Sequence, residues 1–390
     1  MDINELLTRG VTHAIVKEDL EKALKSGKKL KVKLGVDPTG KDLHIGHAIP
    51  LLALRRFMEA GHEIHLIVGD FTARIGDTSD KNSMRPDLAA DQIEENMKTY
   101  KQQASKVLDF SKVKLHYNSE WLNKLDFNGI VELAKQFTVA QMIERDNYSN
   151  RYKEGKPIGL HEFMYPLMQG YDSVALKADI ELGGNDQLFN CLAGRSLQEH
   201  FGQKPQNVIT FELLMGTDGQ KMSKSIGNTI NILDEPNDKY GKTMRIPDEQ
   251  IITYFTLTTN VPLTEIDKIA ADLKRGANPR DAKAKLAYEI TKLYDGEEAA
   301  TAAEKNFNDV FAKGGLPDDI ATKKMGKKEW NIVELLAEAG LVSSKSEAKR
   351  LIEQKGIKVD EKAVESMDEQ IILGKKILLQ VGKRKFLYVE

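Results

Sequence analysis

From residue 30 to about 211 the chain alternates short apolar runs with longer amphipathic ones. The apolar-rich runs predict strands over 30–36, 64–68, 113–117, 179–182 and 207–211. Helical spacing predicts helices over 45–60, 91–108, 128–145, 161–176 and 186–200. Alternation of this kind implies a parallel sheet with helices on both faces, and such sheets bind ligands at the carboxyl ends of their strands. Residues 121–164 interrupt the alternation and read as a helical insertion between two halves of the sheet. Residues 1–29 read as helical and amphipathic, with Leu20, Ala23 and Leu24 at helical spacing.

After residue 232 the strand pattern stops. Helical periodicity covers 248–259, 263–275, 282–294 and 296–311, with Pro236, Pro262, Pro279 and Pro317 as expected breaks. A lysine- and glycine-rich stretch from 313 to 328 reads as a linker. The last sixty residues change again. A helix over 332–340 stops at Gly340, and a second over 346–356 is expected to be capped by Ser346. Short strands follow at 357–359, 376–380 and 385–388. Lys345, Lys349, Arg350 and Lys355 cluster on or beside that second helix. Such a face can neutralise phosphates of structured RNA, and a solvated helix surface is the alternative.

The composition narrows the class. Of 390 residues, 41% are hydrophobic and 30% charged, as in an ordinary globular enzyme, and the net charge of −2 excludes a general polycation. The single cysteine, Cys191, excludes an intrachain disulfide and reads as a small core residue. Cysteine and histidine spacing offers no metal site. No run approaches eighteen apolar residues, so no membrane span is expected. The first residues lack an apolar signal core, and a cytoplasmic location is the expectation.

Two short stretches carry the chemistry. Asp37-Pro-Thr-Gly-Lys-Asp-Leu-His-Ile-Gly-His47 follows the first strand of the alternating series and opens the 45–60 helix. His44 and His47 are three residues apart and share a face, and Gly46 leaves room for a flat ring against the backbone. The helix N-terminus offers N–H groups to an anion. Neither a Walker loop nor a dinucleotide-binding glycine turn is present. Far downstream, Lys221-Met-Ser-Lys-Ser225 follows Gly216-Thr-Asp-Gly219 and places two ammonium groups beside two hydroxyls.

His-Ile-Gly-His followed by Lys-Met-Ser-Lys-Ser resembles the signature pair of class I aminoacyl-tRNA synthetases. The resemblance implies ATP as substrate and a two-step reaction: an amino acid carboxylate attacks the α-phosphate, and the aminoacyl group then passes to the 3′ end of a tRNA. The attacking carboxylate is already ionised, so positioning and charge stabilisation carry the first step. By resemblance, His44 and Thr39 hydrogen-bond the phosphates, and His47 and Gly46 lie nearer the adenosine. Lys221 and Lys224 close over the β- and γ-phosphates, with Mg²⁺ held mainly by those phosphates. Asp37, Met222 and Ser223 belong to the same ATP site. Lys81 and Arg85 assist the pyrophosphate, with a surface charge pair as the competing reading.

The stretch Tyr165-Pro-Leu-Met-Gln-Gly-Tyr-Asp172 resembles the substrate helix of tyrosyl-tRNA synthetases. Tyr165, Gln169 and Asp172 share one helix face among apolar neighbours, which suits a partly buried pocket. The resemblance implies that Tyr165, Gln169 and Asp77 meet the substrate ammonium and Asp172 the phenol hydroxyl. Gly183 and Gly184 admit the ribose, Asp186 holds a ribose hydroxyl, and Gln187 approaches the amino acid carboxylate. One departure stands out. The family's bacterial members commonly carry a tyrosine where this chain has Lys33, which points to the second bacterial branch and puts in question the hydroxyl's second partner. The last sixty residues resemble a small RNA-binding module shared with a ribosomal small-subunit protein.

The expected organisation is α/β: a Rossmann-like catalytic domain over 1–228 with the 121–164 insertion, an α-helical anticodon-region domain over 229–315, a linker over 316–330 and an α+β RNA-binding module over 331–390. The expected substrates are L-tyrosine, ATP and tRNA(Tyr), and the family resemblance implies a homodimer through the insertion. The rivals are a tryptophanyl enzyme, a small-molecule nucleotidylyltransferase and a non-catalytic RNA-binding protein.

Overall fold

A computed structural model of the chain describes residues 3–77, 90–223, 226–309, 320–342, 344–360, 362–374, 376–382 and 385–390. Lys81, Arg85 and Lys224 lie outside these residues. The chain forms two compact units, residues 1–301 and 302–390.

The first unit is built on a six-stranded sheet: β1 Val11–Ile15, β2 Lys31–Val36, β3 Glu63–Val68, β4 Val113–Tyr117, β5 Ile180–Gly184 and β6 Asn207–Phe211. Their order across the sheet is β1-β6-β5-β2-β3-β4. All neighbours are parallel except β1, which runs antiparallel to β6. The chain leaves β2 towards one edge through β3 and β4, and returns to β5 on the other side of β2. The crevice at the carboxyl ends of β2 and β5 is therefore the switch point where this architecture binds ligands.

The strand β1 corrects the reading of residues 1–29 as helical, since only Ile3–Thr8 and Lys17–Lys25 are helices. Its partner, β6, is supplied almost two hundred residues later, so local pattern could not reveal it. The 128–145 helix is likewise two pieces, Phe127–Ala134 and Val139–Ile143. Thr138 starts the second piece with a capping box closed by Gln141. Helices Asp146–Lys153 and Leu160–Leu176 follow.

The helix Ile45–Glu59 crosses from β2 to β3 and buries Ile45, Ile49, Leu52 and Phe57 against the sheet. Val32 and Leu34 of β2, with Ile180 and Leu182 of β5, join that core. Side chains alternate along a strand, so Lys33 and Glu181 project from the opposite face, beneath the 160–176 helix. Beyond β6, Pro236 and Pro279 sit in the first turn of helices Pro236–Thr243 and Pro279–Asp295, and Pro262 caps Leu263–Lys274. These prolines start helices, where a missing N–H costs nothing, and do not merely separate them. Ile251, Tyr254, Phe255, Leu286 and Ile290 from these helices belong to the same apolar cluster as the sheet.

In the second unit, helices Ile332–Ala339 and Lys345–Glu353 pack with a five-stranded sheet around Ile332, Leu336, Ile352, Ile357 and Leu379. The second helix is capped by Ser344, whose hydroxyl accepts from the Glu347 N–H at 3.1 Å, and not by Ser346 as expected. Ser344 stands three residues before Glu347, the spacing a cap needs.

Candidate active site

The site grows from the end of β2. Asp37 accepts two side-chain hydrogen bonds, from the Thr72 hydroxyl to Oδ1 and from the Tyr165 hydroxyl to Oδ2, both at 2.8 Å. The following turn is tied down by the helix Ala90–Ala104. Asn96 donates to the Pro38 carbonyl at 2.8 Å. Gln103 accepts from Leu43 N and donates to the Lys41 carbonyl, both at 2.6 Å. The loop that must approach a ligand is thus held by buried amides rather than by its own sequence.

His44 caps the 45–59 helix, and its backbone N–H donates to His47 Nδ1 at 3.3 Å. The two imidazoles stack with centroids 3.6 Å apart. A Cβ on Gly46 would lie 3.0 Å from His44 Nδ1 and 3.1 Å from its Cε1, so glycine lets the ring lie against the helix start. The second motif reaches the first through the segment after it. Ile45 N donates to the Ile230 carbonyl at 2.9 Å, and Ile232 N to the Leu43 carbonyl at 2.8 Å. Asn228 braces Lys221–Ser223: it accepts from Ser223 N at 2.8 Å and donates to the Lys221 carbonyl at 3.1 Å. Two motifs that lie far apart in sequence, one ending at His47 and the other starting at Lys221, therefore share one wall, with Met222 over Gly46.

The other end of the site lies under the 160–176 helix. Burial pushes the Tyr165 hydroxyl well above its usual range, with the Asp37 charge acting in the same direction. Gln169 donates from Nε2 to Glu181 Oε1 at 3.1 Å. Asp172 is buried and accepts the Trp121 indole N–H at 2.7 Å. Burial pushes its carboxyl up to about 7, against the Lys33 charge and hydrogen bonds from Trp121 and Asn118. Asp77 accepts from Gln187 Nε2 at 2.7 Å and lies 3.5 Å from the Arg145 guanidinium.

A single cavity of about 330 Å³ joins these ends. Asp37, Thr39, His44, Gly46, His47, Asp77, Tyr165, Gln169, Asp172, Gly183, Gly184, Asp186, Gln187, Lys221 and Met222 all line it. A Cβ on Gly184 would fall 2.5 Å from Asp186 Oδ1, so the glycine makes room for the aspartate to turn back over the strand end. Ser223 is not among the lining residues. In the other unit, Lys345 begins its helix and pairs with Glu334 at 2.7 Å, and Lys349, Arg350 and Lys355 are exposed.

Sequence reasoning left Trp121, Asn118, Glu181 and Arg145 out of the site. For Glu181 a signal existed. Val-Lys-Leu at 32–34 and Ile-Glu-Leu at 180–182 each place one charge, of opposite sign, inside an apolar strand. Trp121 and Asn118 carry no such signal, because only the packing of the insertion against Asp172 gives them a role.

A profile of the class I tRNA synthetases (W and Y) matches residues 25–312, and one of the tyrosine–tRNA ligase SYY-like C-terminal domain matches 312–389. The tyrosine–tRNA ligase of Thermotoga maritima is 48% identical across 98% of this chain and 96% of its own length. That of Haemophilus influenzae is 46% identical across 100% and 97%. Among solved structures, a tyrosyl-tRNA synthetase from Archaeoglobus fulgidus complexed with L-tyrosine shares the fold at a TM-score of 0.64 and 24% identity, covering 78% of this chain and 100% of its own. A C-terminally truncated mitochondrial tyrosyl-tRNA synthetase of Aspergillus nidulans does so at 0.66 and 23%, covering 79% and 93%. Identity near one half, sustained over the whole length and across both profiles, leaves a single placement: the chain belongs to the tyrosyl-tRNA synthetases of class I.

Proposed function

We infer that the protein attaches L-tyrosine to tRNA(Tyr) in two steps, through a tyrosyl-adenylate formed from tyrosine and ATP with release of pyrophosphate. The observation that carries this reading is the one cavity, lined at one end by both signature motifs and at the other by the Tyr165–Gln169–Asp172 face.

The hydrogen-bond pattern supports the following roles. Asp37 is an acceptor only, so the Tyr165 proton points to it and the phenol oxygen is left to accept. Glu181 likewise takes the Gln169 N–H, which leaves that amide's oxygen as its substrate-facing atom. With the Asp77 carboxylate these make three acceptors for the three protons of an ammonium. Asp172 keeps acceptor capacity beside Trp121 for the phenol hydroxyl. At the other end, Thr39, His44 and Lys221 donate to phosphate oxygens as charge moves towards pyrophosphate, and Lys224 and the pair Lys81 and Arg85 are assigned to the same task by the family motif. His47 and Gly46 adjoin the adenosine, and Asp186 takes a ribose hydroxyl. Mg²⁺ enters with the triphosphate and is bound through its oxygens.

The catalytic part is assigned to 1–228, the anticodon region to 229–315 and tRNA binding to the module at 331–390 after the 316–330 linker, with Lys345, Lys349, Arg350 and Lys355 as phosphate contacts. Phe127, Val139, Tyr152 and Leu160 expose large apolar side chains on the insertion, which supports a homodimer through that surface. A cytoplasmic location is part of this proposed reading. No described helix is long and apolar enough to cross a membrane.

Amino-acid-dependent ATP–pyrophosphate exchange tests the reading. Exchange should depend on tyrosine, and dependence on tryptophan instead would overturn it. Removing residues 329–390 should leave exchange intact and lower tRNA charging about tenfold or more, with a weaker salt dependence of tRNA binding. Full charging by the truncated chain would remove the module from the mechanism.

A further inference from the structure

Lys33 and Glu181 face each other across the β2–β5 pair in register, with Nζ 3.1 Å from Oε1 and both side chains only 1% exposed. Neither lines the cavity, yet each touches what does. Lys33 Nζ also donates to the Gln169 carbonyl at 3.2 Å. Glu181 accepts from Gln169 Nε2 at 3.1 Å, from the Ser173 hydroxyl at 3.4 Å and from Gln206 Nε2. A buried ion pair is a weak source of stability, because desolvation offsets the attraction. This one sits directly beneath Gln169, on the helix face that would read the amino acid.

We propose that Lys33 and Glu181 are specificity-setting positioning residues of the amino-acid pocket: Glu181 holds the Gln169 amide with its oxygen towards the substrate ammonium, and Lys33 holds both Glu181 and the Gln169 carbonyl in place. The inference rests on the tyrosine reading of the pocket. Its geometric support is the register of the two strands and the saturation of Glu181 by donors. A protein that needed only a filled core would place two apolar side chains here. The groups that face Asp172 are Lys33 from β2, Glu181 from β5, Asn118 just after β4 and Trp121 at the start of the insertion. Tyr165 lies one face-turn away on the same helix, and the His116 ring stands behind Trp121, with centroids 6.0 Å apart. Among the charged groups, Lys33 favours the Asp172 carboxylate and Glu181 opposes it.

That opposition gives the test its sign. Tyrosine-dependent exchange is measured with the full chain as wild type, Lys33→Met, Glu181→Gln and the double variant, across pH. Lys33→Met should raise KM for tyrosine about tenfold and leave KM for ATP unchanged. It should also move the acid limb of kcat/KM for tyrosine up by about one pH unit, whereas Glu181→Gln should move it down. A residue that merely fills space would not shift the limb, still less in opposite directions. The double variant leaves no buried charge unpaired and should fold even where a single variant does not. It too should show a raised KM for tyrosine and a reduced preference over phenylalanine. Wild-type KM, preference and acid limb in the folded double variant, or shifts of the same sign in both single variants, would overturn the proposal. Absence of tyrosine exchange in the wild-type protein would overturn the parent reading, and this inference with it.

Discussion

At the end of the cavity proposed for phosphate, Thr39, His47 and Lys221 are exposed, and the geometry of the two histidines comes from one helix start. At the amino-acid end, Tyr165, Asp172, Lys33 and Glu181 are buried, and every one is held by residues from another element. The difference follows from what each end must do. A triphosphate is strongly charged and hydrated, so donors at a helix terminus and an exposed ammonium group suffice to meet it. Telling a phenol from a benzene ring requires a polar group kept dry, and a dry polar group needs a supporting network.

The comparison can be broken first at Asp172. Sites that hydrogen-bond a substrate hydroxyl reject the analogue lacking it by roughly 10⁴–10⁵-fold, a range taken from tyrosyl enzymes themselves. Asp172→Ala should collapse the preference for tyrosine over phenylalanine by most of that factor, largely through lost tyrosine activation. Measuring kcat/KM for both amino acids checks it, and a retained preference would move the hydroxyl reader elsewhere. At the phosphate end, His44→Ala should lower the rate of adenylate formation about 10²-fold while tyrosine binding, followed by equilibrium dialysis, stays near wild type. Equal losses in both would erase the division of labour between the ends. Gly46→Ala probes the same end more gently. The new methyl would press on the His44 ring, so activation should fall about tenfold with KM for tyrosine unchanged.

The smallest effect is on stability. Asp172 is held up to about 7 against an ordinary value of 3.8, chiefly by burial. Its folded form therefore binds a proton that its unfolded form has released. The stabilising contribution is fully present below the ordinary value and is lost as pH rises through about 7. Asp172→Asn, which keeps an oxygen for the Trp121 N–H, should gain a few degrees in Tm relative to wild type at pH 8 and little at pH 5. Thermal melts at the two pH values decide it, and an equal gap at both would mean that Asp172 is not held neutral by its surroundings.

The arrangement of His44 and His47 at the start of the 45–59 helix was legible because its information is local. Histidines three apart on a helix after a strand share a face whatever the rest of the chain does, and a helix start presents N–H groups by its own geometry. The parallel sheet was legible for the same reason, since strand and helix periods repeat within short windows. The row Tyr165, Gln169, Asp172 could be placed on one face, but the face alone did not say what stood opposite. Residues 1–29 show the limit from the other side: five of them form a strand only because β6 is there to pair with it.

What the sequence by itself determined is thus the alternation of elements, the switch-point location of the cavity and the shared face of His44 and His47 at the helix start. What only the tertiary structure decided is which polar groups are dry and who holds them. Lys33 could have been a surface cation. The register of β2 with β5 makes it the buried partner of Glu181, and the packing of the 160–176 helix over that face makes the pair a floor for Gln169. Strand register and helix packing are set by non-local burial of apolar surface, which no window of adjacent residues contains.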